Sequence, residues 1–591
     1  MTRAFFIALL PIGLAALVSD AAEIARLTYC NPVDIDYQYN FEQKARGISY
    51  RAGADPVIVN HKGEYYLFAT ISGGWWHSTD MKHWRYIKPD VAPHSWPKED
   101  MCAPAVASVG DQLYLFQSTF ERRPLWVTST PSTGKLTQFN SSMPQVPGAA
   151  GPWDPALFHD DDTDRWFMYF GSSNVYPIYG IELDFAHQLS YKGTSQELVG
   201  LHPELHGWER FGPNHTSSIK PFIEGAWMTK HQGKYYLQYA GPGTEFNVYA
   251  NGTYVGEGPL GPFTYAPNNP IAYKPGGFVT GAGHGNTFQD KHGNFWNTGT
   301  PWIAVNFDFE RRIAMFPAGF DREGLLFANT RFGDFPHFLP TERWTNKDAL
   351  FTGWMLLSYR KPCEASSYQG VFSAANTTDE NPRSYWVSGS NKPGEWLTVD
   401  LGHECDVRAV QVNYTDYKSA LYATDESVYT QFKILVSSDG KSWRTVVDLT
   451  KDPERRDRVN AYQELAEPTQ ARFVRYEHVY VAGPHLAISD LRVFGHGGTT
   501  TPRAPTRLNV RRDGQDPRNA FLTWDDVPGA VGYNILWGIR ADKLYQTYQI
   551  FADQRTALEL RALSLGQGYT FAIEAFNERG VSAASAPVSV E

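Results

Sequence analysis

Three carboxylates in this chain share one local address. Asp55, Asp154 and Glu224 each stand at the head of a short apolar or aromatic run, in ADPVIV, WDPALFHDDD and EGAWMTK. His284, in GHGNTFQD, has the same address, and Ala103, in CAPAVASVGDQLYLFQS, is the fifth head. A protonated carboxyl can donate to a leaving oxygen while an ionised one activates water or attacks carbon, which is the chemistry of glycosidic bond cleavage. A third carboxylate nearby keeps the acid protonated, because its negative charge raises the acid's pKa. One Asp before Pro is ordinary turn chemistry. Four ionisable heads in register ask for a shared pocket.

The register comes from a repeat. The stretch from Ala54 to Trp84 holds an acid head, a strand-like run, a Gly turn and an aromatic strand; its plan returns at Cys102, Trp153, Glu224 and Gly283, about 50 to 70 residues apart. Each unit is long enough for a four-stranded sheet, so the five predict a five-bladed β-propeller over residues 27–341, with the heads at one end of its channel.

At 591 residues the chain exceeds one core, and 15% aromatics with 51 Gly and 38 Pro favour short strands and turns, an all-β protein. A net charge of −10 gives no nucleic-acid footprint. Four scattered cysteines, Cys30, Cys102, Cys363 and Cys405, suit at most one bridge and no zinc site. Arg3, the apolar run Ala4 to Val18 and the small residues after it read as a signal peptide, residues 1–21, on a secreted or periplasmic protein. No later stretch is long and apolar enough for a membrane span. After a connector, 342–360, period-two alternation predicts a β-sandwich over 361–496. Beyond a Gly, Thr and Pro linker, residues 503–591 read as a second, seven-stranded sandwich acting as a spacer or adhesion module.

The ordered set ADPVIV, HSTDMKHW, APAV, WDPALFHDDD, GIELD, EGAWMTK, YVGEGPLGPFTY and GHGNTFQD resembles glycoside hydrolase family 43. GEWLTVDLG and LRVFG resemble a discoidin, or F5/8 type C, sugar-binding domain, and TWDDVPGAVGYNILW with YTFAIEAFNERGVS resembles fibronectin type III. The first resemblance implies Asp55 as general base, Glu224 as general acid and Asp154 as modulator of its pKa, with inversion at the anomeric carbon. It also implies that His284 holds a hydrated calcium ion, a structural ion with no cofactor required, and that Arg312, or its neighbour Arg311, is the fifth-blade arginine. Cys102 and Ala226 depart from the family pattern, which bears on substrate preference.

Trp75, Trp76, Trp153 and Trp227 are the candidates for stacking on sugar faces, with Trp75 and Trp76 expected on a loop after GG. Trp386 and Trp396 read as core, and the acidic run His159 to Asp164 as a solvated hairpin turn. The expected activity is exo-acting removal of sugars from plant or algal oligo- or polysaccharide, by a β-D-xylosidase or α-L-arabinofuranosidase before a β-galactosidase. The alternative is a non-catalytic carbohydrate-binding adhesin, which would not need an acid kept protonated by a neighbour.

Overall fold

The computed structural model describes residues 26–591 apart from 41–42, 92–101, 119–123, 141–142, 144–145, 150–152, 347, 423–426 and 555. The expected signal peptide lies outside the described residues. Among those residues there are strands and short 3-10 turns and no α-helix.

Five four-stranded antiparallel meanders follow one another. Their first strands are Val57–His61, Cys102–Val109, Ala156–Asp160, Glu224–His231 and Thr287–Gln289. Each of these packs against the first strand of the next blade, and the fifth packs against the first, which closes the ring. Hairpin turns such as Lys62–Gly63 hold the left-handed backbone that tight strand reversals need. The acidic run behaves as expected, ending one strand at Asp160 and turning over 161–164. The N-terminal segment closes against blade five, with Val33 N–H donating to Ile313 O (2.9 Å) and Thr28–Tyr29 pairing with His337–Phe338.

Residues 355–496 form one eight-stranded system around the long strands Trp396–Tyr414 and Asn460–Val481, which bulge near Asp400 and Val407. The expected connector supplies its first strand, Met355–Leu356, paired with Ala487–His496. Trp386 is fully buried, as expected, whereas Trp396 is half-buried beneath the Arg475 guanidinium (4.4 Å). The last part pairs a three-stranded sheet with a five-stranded one, centred on Gly532–Gly538 and Tyr569–Asn577.

This last sandwich is no spacer, which corrects the sequence expectation. Trp537, Tyr569 and Leu563 share one hydrophobic core with Trp208, Tyr239 and Tyr273 of the propeller. Arg331 of the propeller forms a salt bridge with Glu574 (2.6 Å), and Arg210 with Asp516 (2.8 Å). The middle domain is docked as firmly: Arg51 is buried between Asp416 (2.9 Å) and Asp457 (2.7 Å), and Trp296 and Met315 share a core with Val410 and Val493. A linker rich in Gly and Thr says nothing of the apolar area on either side of it. No disulfide joins any of the four cysteines.

Candidate active site

All five heads gather in one ring because each opens the inner strand of its blade. Each head is also a local kink. Asp55, Ala103, Asp154 and His284 take positive φ angles of 52°, 34°, 46° and 45°, and in blade four the kink falls on Gly225 at 66°. Residues with a Cβ rarely adopt this conformation, and it persists where the surroundings over-determine it. Those surroundings are a second repeat. Thr300 Oγ1 accepts from Asp55 N–H (2.9 Å), Thr70 Oγ1 from Ala103 N–H (2.8 Å) and Ser118 Oγ from Asp154 N–H (3.0 Å). Each hydroxyl sits at or just past the end of a blade's second strand and locks the head of the next blade around the ring. Gly225 is required for a further reason: a Cβ there would lie 3.0 Å from His284 Cγ.

The carboxylates meet different environments. Asp55 is buried, and burial by itself raises its pKa; the positive charges of His284 and Arg311 and the hydrogen bond from Thr70 Oγ1 outweigh it and hold the carboxyl below its usual range. Its Oδ1 lies 3.2 Å from His284 Nδ1 and 3.5 Å from Arg311, and accepts no hydrogen bond among the described residues. Asp154 is pushed the other way, up to about 7, by burial first and then by the charges of Glu224 and Asp55, with His284 and Ser172 opposing. Glu224 receives hydrogen bonds from Tyr249 Oη and from Ser172 Oγ (3.3 Å). Burial lowers the His284 pKa, but the three carboxylates outweigh it and raise it above the ordinary value. One pocket therefore holds a carboxyl shifted down, a carboxyl pushed up to about 7 and, between them, an imidazole whose protonated form its neighbours favour.

Donor atoms of Asp154, Glu224 and His284 lie within 4.8 Å of one another. A calcium ion takes six to eight oxygen donors. Two carboxylates and an imidazole do not supply that set, so an ion here would keep most of its shell as water.

The structure corrects three expected sugar contacts. Arg312 is fully buried on the opposite side of its segment, donating to Arg51 O (2.6 Å) beside Glu310 (3.5 Å), and it is Arg311 that enters the pocket. Successive side chains in extended backbone point to opposite faces, so only one of two adjacent arginines can face the carboxylates. Trp75 and Trp76 lie on the strand Trp75–Ser78 with no exposed surface, each facing a different side of blade one. Trp75 Nε1 donates to Pro131 O (3.0 Å), and Trp76 packs edge-on to Tyr86. Trp153 stays half-buried beside Asp154, at the ring. Trp227 lines the far part of the channel and donates to Thr287 O (3.0 Å). Sequence reasoning missed Thr70, Ser118, Ser172, Thr300 and Tyr249; Thr70, Ser118 and Thr300 stand in one place of the repeat, in FAT, FQS and TGT, so the repeat that shows the heads also marks them.

Fold and site together define a propeller built for acid and base work on one face. The family model for glycosyl hydrolases family 43 matches residues 47–299, and that for the F5/8 type C domain matches residues 362–485. The family match thus falls on the propeller, and the F5/8 type C match on the sandwich that follows it. Xylosidase/arabinosidase 43B of Humicola insolens is 26% identical over 211 residues, which span 32% of this chain and 36% of that relative. Among solved structures, an endo-1,4-beta-xylanase from Bacteroides thetaiotaomicron is 22% identical with a TM-score of 0.39, covering 47% of this chain and 95% of that one. A xylan beta-1,4-xylosidase from Bacillus halodurans is 14% identical with a TM-score of 0.40, covering 79% and 98%.

Proposed function

We propose that this chain is an exported glycoside hydrolase that removes terminal sugars from plant or algal polysaccharide with inversion, xylose or arabinose first and galactose next. Asp55 is the general base, Glu224 delivers the proton to the leaving oxygen, and Asp154 shares that proton and sets when it is released. One observation carries the reading: Asp55, Asp154 and Glu224 meet around His284 in a single pocket, in environments that hold Asp55 down in pKa and push Asp154 up to about 7, an arrangement that lets one residue type serve as base and acid. The free Oδ1 of Asp55 is the acceptor for a proton from the attacking water. Arg311 and His284 keep that oxygen charged until then. Asp154 and Glu224 lie side by side and share the Ser172 hydroxyl as a hydrogen-bond partner, so the pair together is the acid.

Related proteins named xylosidase/arabinosidase and xylan xylosidase set the order of substrates to try. The test is a panel of 4-nitrophenyl glycosides, with the anomeric configuration of the first product followed by proton NMR. The β-D-xyloside or α-L-arabinofuranoside should be cleaved with inversion; retained configuration would remove Asp55 as base. The F5/8 type C domain, on this reading, holds the polymer. Export removes residues 1–21, so mass spectrometry of the mature chain should find its N-terminus near Ala22, and a retained Met1 would count against it.

A further inference from the structure

Between blade five and the F5/8 type C domain lies a cleft of about 260 Å³, lined by Thr280 and Trp302 of the propeller and by Asp379, Asn381 and Arg383 of the sandwich. Two backbone relations tie it to the carboxylates. Trp302 is bridged antiparallel to Arg311, so the two side chains leave the same face of the segment, and Arg311 reaches Asp55 at 3.5 Å. Thr280 is bridged to Trp302 from the other side and precedes His284 by four residues, which span at most about 14 Å. The cleft therefore opens within a short oligosaccharide's reach of the acid and base.

Its chemistry is two-sided. The Arg383 guanidinium lies 3.9 Å over the Trp302 ring, feels the charge of buried Glu310 and forms no ion pair within 4.0 Å among the described residues. Asp379 accepts from Ser384 Oγ (2.7 Å) and from Asn381 N–H (3.1 Å), leaving acceptor capacity on the cleft wall. An aromatic face beside a planar fork of donors and a carboxylate matches the apolar face and the hydroxyl rim of a sugar ring. Asp379 and Glu380 on the wall disfavour an anionic ligand such as a phosphate. Two residues past Arg383, Tyr385 stacks on Phe372 (4.9 Å) and continues the aromatic surface over the sandwich.

We propose that this cleft is a distal sugar subsite built jointly by the two domains. A chain whose terminal unit lies at Asp55 and Glu224 runs over Trp302 and is held by Arg383. The proposal rests on the glycosidase reading, and its test separates the two. Wild-type protein, Arg383→Ala and Arg383→Lys are compared on the 4-nitrophenyl xyloside and arabinofuranoside and on xylohexaose and arabinohexaose. Arg383→Ala should lower kcat/KM on the hexasaccharide about ten-fold more than on the aryl glycoside, mainly through KM, as expected for lost uniform binding. Arg383→Lys, which keeps the charge without the planar fork, should fall between. Calorimetry of the hexasaccharide on Glu224→Gln protein, with and without Arg383→Ala, should show the same factor in Kd. Equal losses on long and short substrates, an unchanged Kd, or no hexasaccharide binding would overturn the subsite. Wild-type protein that turns over neither substrate would overturn the glycosidase reading instead; calorimetry would then still decide the cleft, since affinity lost with Arg383→Ala supports it without catalysis.

Discussion

Asp55→Asn should abolish turnover whatever the leaving group, with a loss on the order of a hundred-fold or more, because the base is lost while the leaving-group chemistry is untouched. Glu224→Gln should behave differently. Dinitrophenyl glycosides depart with little protonation, so they should be spared while alkyl glycosides and oligosaccharides are lost. The environment of each carboxyl adds a pH signature. Arg311 helps hold Asp55 ionised; Arg311→Met should therefore raise the base pKa and move the acid limb of kcat/KM to higher pH. Asp154→Asn takes away the carboxyl that is pushed up to about 7 and shares the acid's proton, and should pull the alkaline limb to lower pH. The bell narrows from opposite sides in the two variants. Arg312→Met should leave the acid limb in place, since Arg312 points away from the pocket. Full activity in Asp55→Asn, or a Glu224→Gln protein equally impaired on every leaving group, would sink the assignment.

A chain cut after Pro340 should be insoluble, or unfold far below the full chain in scanning calorimetry. The cut opens the two cores that the propeller shares with the later domains, one of them at Tyr273 against Trp537. Each large apolar side chain in them contributes about 1.5–3 kcal/mol when buried. The cut also removes Asp416 and Asp457 from Arg51, and Glu574 from Arg331, but it opens these guanidiniums to water, so the lost pairs add little to the hydrophobic loss. These losses together match or exceed the roughly 5–15 kcal/mol that holds a domain folded. A soluble fragment melting cooperatively near the full-length temperature would show that the propeller stands alone and that the shared cores are incidental.

The sequence by itself determined the five blades and the ring of heads. A propeller repeats one local plan, and period-two strands with turn residues at fixed offsets are local properties that a chain writes openly. Once Asp55, Asp154, Glu224 and His284 fall at one offset, radial symmetry alone places them together. The acidic run from His159 was equally legible, because a turn is decided by the residues within it. Only the tertiary structure decided which arginine enters the pocket, since Arg311 and Arg312 differ by one residue and face opposite ways. It also decided that Trp75 and Trp76 are core: a blade is covered on both faces by its neighbours, so alternation cannot mark a free face. The proton placement followed the same rule, because the opposite shifts of Asp55 and Asp154 come from burial and from partners as distant in sequence as His284 and Arg311. The docking of the two later domains, and with it the cleft between Trp302 and Arg383, depends on surfaces contributed from far apart in the chain, which no local pattern encodes.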